Sequence, residues 1–188
     1  QLAKSELPAT VGGVIVSRLD KLPVSQQVVL KVAAVLGQQF PIAAVQDLYP
    51  QHDPLVDVST LLPPLMEQDL IRRGDSTGQF EFKHALAQEA IYGLMLFAQR
   101  RGLHKRAAEW FERKGDSDGS VILPILAFHW EQAGEYVKAI ACLEQAGEQS
   151  LDRYANREAT DLLERLSPRQ RQYLLLAGVG AMIVIGTV

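Results

Sequence analysis

The sequence has little of the chemistry that marks a secreted or cross-linked protein. Its only cysteine, Cys142, cannot form an internal disulfide and lies in a helical pattern, where a small buried hydrophobe is the expected role. No basic stretch followed by an apolar core opens the chain, so no signal peptide is recognisable. We therefore expect a reducing, cytoplasmic location. The chain begins at Gln1 and ends at Val188 inside an apolar run, and both ends are expected to be internal points of a longer protein.

Motifs that hold a phosphate, a metal or a nucleophile are also missing. There is no G-x-x-x-x-G-K-[ST] phosphate loop and no Gly-x-Ser-x-Gly elbow in the sequence. No two of the four histidines lie four or five residues apart, and no cysteine stands beside them, so no metal site is predicted: these are His52, His84, His104 and His129. We expect no complete catalytic centre in this chain, and whether the whole protein is an enzyme stays open.

An excess of positive charge is absent too. The sequence has 19 Lys and Arg against 22 Asp and Glu, and a net charge of -3 gives no general attraction to nucleic acid. What is present is the composition of an ordinary globular protein, 47% hydrophobic and 22% charged. A length of 188 residues suits one domain or two small ones with a real core.

Apolar residues at helical spacing predict four helices in the first half of the chain. Pro23 and Gly37 mark the start and end of the second helix, and Asp53-Pro54 should cap the fourth. Pro63 and Pro64 should kink or split that fourth helix. The predicted helices are residues 10–22, 24–36, 42–48 and 55–65.

The periodicity changes after Asp69. Residues 70–73 and 79–83 flank a polar turn bounded by two glycines, and in the second run Phe80 and Phe82 alternate with charged residues. This pattern predicts a β-hairpin. Helices followed by a hairpin outline a winged helix, so residues 1–115 are expected to form a winged-helix-like arm. The region before the hairpin is apolar and carries two prolines, which argues against reading DNA.

The second half has helical patterns almost without interruption from His84, with residues 114–119 as the best linker. Residues 120–188 are expected to form tetratricopeptide-like repeats, which makes the fold class mainly α. In them, small residues let two helices approach closely and make room for aromatic ones. The residues expected to pack the helix pair are Ala127, Trp130, Gly134, Tyr136, Ala139, Leu143 and Ala146. The steps at 139, 143 and 146 recur at 159, 163 and 166, which is 20 residues later instead of about 34, so the repeat is degenerate.

The uncharged tail, residues 173–188, has two readings. Its 16 residues fall short of the roughly 20 that a membrane-spanning helix needs, and its glycines suit close helix packing. A repeat helix is therefore favoured over a membrane anchor.

Two polar features are candidate sites. His84 stands where the second predicted strand meets a helix. It either donates a hydrogen bond to a phosphate held by a neighbouring domain, or it caps the helix that begins at Ala85 or satisfies a local carbonyl. A basic stretch on one predicted helix is either a solvated face or a surface for an acidic partner or nucleotide: Arg100, Arg101, Lys105 and Arg106, with His104 among them.

Three blocks of the sequence resemble signal-transduction ATPases with numerous domains. Residues 7–37 look like the stretch after the nucleotide-binding core, and residues 133–159 look like the helical repeats of the family. Between them lies the block Phe82-Lys83-His84-Ala85-Leu86-Ala87-Gln88-Glu89-Ala90-Ile91-Tyr92. The resemblance covers nearly the whole chain and is greatest to class III adenylate/guanylate cyclases fused to such an ATPase and to similarly built transcriptional regulators.

The resemblance implies a regulatory and sensor segment. In this family an upstream module holds ATP or ADP with Mg²⁺, the winged-helix arm closes over it, and the repeats sense a protein or peptide partner. His84 matches the histidine of the arm that contacts the nucleotide's phosphate. The phosphate loop, the Mg²⁺-binding acidic residues and any cyclase domain would precede Gln1. The alternative is a helical-repeat scaffold with no nucleotide role.

Overall fold

A computed structural model describes residues 9–50, 56–115 and 122–165. It is mainly helical, with one small sheet. The elements are α1 (Ala9–Asp20), α2 (Val24–Leu36), β1 (Gln39–Pro41), α3 (Ile42–Leu48), a 3-10 turn (Val58–Leu61), α4 (Leu62–Glu67), β2 (Ile71–Arg73), β3 (Gln79–Phe82), α5 (Ala85–Gly93), α6 (Phe97–Lys114), α7 (Ile122–Gln132) and α8 (Tyr136–Arg165). The Asp53-Pro54 cap, most of the predicted linker and the tail from 173 to 188 lie outside the described residues.

The helix boundaries follow local sequence signals. α2 begins directly after Pro23 and ends at Gly37, whose φ of 121° needs a residue without a side chain and whose N–H bonds to the Ala33 carbonyl. Pro63 and Pro64 lie in the first turn of α4, where no backbone N–H is required of them. The split predicted at these prolines therefore lies just before them, between the 3-10 turn that ends at Leu61 and the start of α4 at Leu62.

The predicted hairpin is present, and a third strand joins it. β3 lies in the middle of the sheet and pairs antiparallel with both β2 and β1, with Phe40 of β1 opposite Phe80. β1 was not predicted from the sequence. Only three residues long and ending in a proline, it is held by pairing with a strand about 40 residues away rather than by any local pattern.

α6 connects two hydrophobic clusters. The larger cluster joins α1 to α5 and the sheet, and it includes Phe82, Ile91 and, from α6, Ala107 and Trp110. The smaller cluster contains Ala108 of α6 together with residues of α7 and α8. Packing through α6 therefore extends from the sheet region to the last two helices.

The predicted helix-turn-helix is α7 and α8, with the turn at Gly134. α8, however, is one helix of 30 residues, so positions 139, 143, 159 and 163 share a helix and do not mark successive helix pairs. The expected recurrence of the repeat after 20 residues is therefore wrong: both sets of positions lie on α8. No helix in the described part of the chain is both long and apolar enough to cross a membrane.

Candidate functional site

His84 is the residue just before α5, and its side chain is exposed. Its backbone is extended, and its carbonyl accepts a hydrogen bond of 3.0 Å from the Ala87 N–H. The imidazole makes no capping hydrogen bond to the helix. The neighbouring Lys83 ammonium instead pairs with Asp69 at 2.5 Å, which lowers the pKa of that carboxyl. The imidazole thus lies on the surface beside an ion pair.

Arg100 stabilises the turn between α5 and α6 by hydrogen bonds. Its Nε donates to the Met95 carbonyl at 2.9 Å and its Nη2 donates to the Gly93 carbonyl at 2.8 Å. Its guanidinium also lies over the Tyr92 ring, 4.7 Å from the centroid. These contacts give Arg100 a structural role in ending one helix and starting the next.

The other three basic residues of α6 contact two different parts of the fold. Arg101 Nε donates to the Ala133 carbonyl at 2.7 Å, and Lys105 pairs with Glu135 at 3.3 Å, so both bind the α7–α8 turn. Arg106 instead reaches the Asp47 carbonyl at the end of α3, at 3.3 Å. The structure therefore does not bring the four predicted residues together as one basic surface, because helical spacing spreads them around α6.

The turn at Gly134 requires glycine for stability. Gly134 has a φ of 76°, and a Cβ there would lie 3.0 Å from the Arg101 guanidinium. We expect Gly134→Ala to lower the free energy of unfolding by about 1–2 kcal/mol, measured by urea denaturation.

Gly102 is the matched control for that substitution. It lies inside α6, where a Cβ would meet nothing within 4 Å, so Gly102→Ala should raise stability by about 0.5–1 kcal/mol. Equal effects of the two substitutions would contradict a structural requirement at Gly134.

Two histidines that are 25 residues apart in the sequence lie side by side in the structure. His104 of α6 and His129 of α7 are each only 1% exposed, and their Nδ1 atoms lie 2.9 Å apart. The Tyr92 hydroxyl, at the end of α5, lies 3.0 Å from His104 Nε2. This hydrogen-bonded chain, which we call the Tyr92–His104–His129 chain, links three successive helices and is half-buried at Tyr92 and buried at the two histidines.

The two histidines are neutral in the folded protein. Burial, and secondarily the charge of Arg100, lowers the pKa of His104 to about 4. Burial, and then His104, lowers the pKa of His129 to about 3. A hydrogen bond between two ring nitrogens requires one to donate and the other to accept, which agrees with neutral rings. The sequence signal was indirect, since each histidine lies on the apolar face of its helix, beside Ala108 or Trp130.

The predicted packing residues of the helix pair fall into two groups. Ala127, Trp130 and Ala139 are buried, Ala146 is half-buried against them, and Gly134 makes the turn. Tyr136 and Leu143 are instead exposed, because they lie on a face of α8 turned away from α7. That face also carries Ile140, Leu151 and Tyr154, and we call these five residues the α8 stripe.

Among the described residues, no three His, Cys, Asp or Glu side chains are grouped so that they could hold a metal ion. Cys142 is half-buried, and burial raises the pKa of its thiol. A raised thiol pKa leaves little thiolate at neutral pH.

The comparisons with known proteins identify a relative but no family. The chain is 29% identical over 169 residues to an uncharacterized protein of Rhizobium meliloti (strain 1021), a match that covers 87% of this chain and 16% of the relative. The chain thus spans about a sixth of the length of that relative. No family model and no solved structure matches the chain.

Proposed function

We propose that the chain is a non-catalytic regulatory segment of a longer ATP-dependent signalling protein. In this proposal an upstream domain holds ATP or ADP with Mg²⁺, and the region from α1 to α6 is a winged-helix-like arm that lies against it. α7 and α8 are the tetratricopeptide-like pair that binds a protein partner. The segment relays between the bound nucleotide and the partner.

The observation that carries the proposal is the Tyr92–His104–His129 chain. α5 begins directly after the exposed His84 and carries Tyr92 in its last turn. From there, hydrogen bonds of 3.0 and 2.9 Å lead through α6 to α7, against which α8 packs. Close-packed, hydrogen-bonded helices move together, so a displacement at His84 reaches the helix pair.

The exposed position of His84 supports a contact with the upstream domain. The side chain is exposed at the strand-helix junction and makes no capping bond to its own helix. An imidazole there can donate a hydrogen bond to a phosphate oxygen.

The test is His84→Ala in the longer protein. Loss of a hydrogen bond to a charged phosphate should weaken ADP retention about tenfold or change the basal output by a similar factor. Because His84 is exposed, the melting temperature of the segment should be unchanged. Ser76→Ala, in the exposed turn of the hairpin, is the matched control and should change neither property. Unchanged nucleotide affinity together with unchanged output would contradict the proposed role of His84.

The second candidate is a scaffold that binds a partner and has no nucleotide role. The α8 stripe favours partner binding with or without a nucleotide, because exposed apolar rows mark interaction surfaces. A partner captured through residues 122–165, in a parent protein whose output is indifferent to ATP, would establish the scaffold.

A further inference from the structure

α8 exposes one apolar face over five helical turns. The residues of the α8 stripe, with Gly147 between Leu143 and Leu151, follow one another at steps of three or four. At about 100° per residue this spacing keeps them within roughly a quarter of the helix circumference. The five large side chains are between 55% and 70% exposed. The contact with α7 uses a different face, which carries Ala139, Cys142 and Ala146.

The apolar surface continues beyond the start of α8. Phe97, the first residue of α6, is 75% exposed. Together with Tyr136, Arg101 and Gly134 it lines a pocket of about 260 Å³. A large apolar side chain placed over the first turn of α8 would have both aromatic rings to contact.

One edge of the stripe carries carboxylates. Glu144 and Glu148 are exposed and four residues apart, beside the edge formed by Leu151. The opposite edge carries Ser150 and, three residues after Tyr154, Arg157, so the carboxylates lie on one side of the stripe only. Acidic side chains beside an apolar row attract a partner with basic side chains beside its own apolar row, as at the flanking positions of paired helices.

We propose that the α8 stripe binds a partner helix whose apolar face is flanked by lysine or arginine. The inference rests on the part of the proposed function that assigns partner binding to α7 and α8. The stripe from Tyr136 to Tyr154 is about 27 Å long at 1.5 Å per residue, which matches a partner helix of about 18 residues.

A second copy of the chain, paired antiparallel through α8, fits this surface less well. In an antiparallel pair the same edge of each helix meets its counterpart, so Glu144 and Glu148 would face the same carboxylates. Like charges at that position oppose association. A basic partner helix turns the same carboxylates into an attraction.

The experiment uses the full chain and two labelled 18-residue amphipathic peptides, one of leucine and lysine and the other of leucine and glutamate. Fluorescence anisotropy should show tighter binding of the lysine peptide, and the difference should shrink as salt is raised. Leu143→Gln with Leu151→Gln should weaken binding about tenfold or more. Glu144→Lys with Glu148→Lys should reverse the preference between the peptides. Val24→Gln, at a residue 74% exposed on α2, is the control and should leave binding unchanged.

Four results would overturn the proposal. They are binding of neither peptide, equal binding of both, a preference that survives the charge reversal, and self-association that is abolished by Leu143→Gln with Leu151→Gln. The last would make a second copy the occupant. If the peptide binds as expected but His84→Ala has no effect in the longer protein, the surface stands and the nucleotide relay fails. The opposite pair of results leaves the relay and removes this surface.

Discussion

Lowering the pH from 7 to 5 should reduce the free energy of unfolding by up to about 4 kcal/mol through His104 and His129 together. Both pKa values are lowered in the folded protein from 6.5, to about 4 and about 3, because the charged rings would be buried. Below pH 6.5 the unfolded chain therefore binds protons that the folded chain does not. The stability is fully present above this pH and is lost as the pH falls toward the folded values.

The measurement is urea denaturation at half-unit pH steps between 7 and 5. The carboxyls of Asp57 and Asp69 have pKa values lowered from 3.8 by hydrogen bonds, to Ser59 and Lys83 respectively, so their contribution is lost only at lower pH. The double substitution His104→Leu with His129→Leu replaces both partners with apolar groups of similar size and should flatten the profile. A flat profile for the unsubstituted protein would contradict the buried, neutral pair.

The pH profile also tests the linkage that the proposed relay needs. If protonation separates α7 from α6, the tryptophan fluorescence of Trp130 should change with the same pH dependence, since Trp130 follows His129 on α7. In the longer protein, the His104→Leu with His129→Leu variant should keep its fold but lose the polar connection from α5 to α7. A relay through this chain predicts that the effect of His84→Ala on output then becomes smaller.

The features that sequence reasoning predicted are those with local causes. Pro23 and Gly37 define α2, and the alternation of Phe80 and Phe82 defines β3, because each signal lies inside its own element. The turn at Gly134 is of the same kind, since its positive φ needs a residue without Cβ.

The features that sequence reasoning missed depend on contacts between distant residues. β1 exists because Phe40 pairs with Phe80, and the buried histidines meet because α6 and α7 pack side by side. The basic stretch on α6 failed as a single surface for the same reason: Arg101 and Arg106 are five residues apart in sequence, yet they contact the α7–α8 turn and α3. Sequence proximity gives charge density but not the direction in which each side chain points.

Trp130→Ala should be the most destabilising single substitution in the helix pair, with a loss of about 4 kcal/mol. Trp130 is completely buried, Lys138 lies 3.9 Å above its ring, and it is the largest side chain in the small cluster formed with Ala108, Leu123 and Leu126. Removing the indole leaves a cavity that these neighbours are too small to fill. The melting temperature should fall by about 10 °C in a scanning calorimetry experiment.

Tyr136→Ala is the matched control, because Tyr136 is an aromatic residue of the same helix pair that lies on the exposed α8 stripe. It should change stability by less than about 0.5 kcal/mol. It should also weaken binding of the leucine-lysine peptide, whereas stability and binding would change together if the stripe were part of the folded core. Equal loss of stability in the two variants would contradict the division of α8 into a packed face and a free face. That division is the feature on which both the helix pair and its partner surface depend.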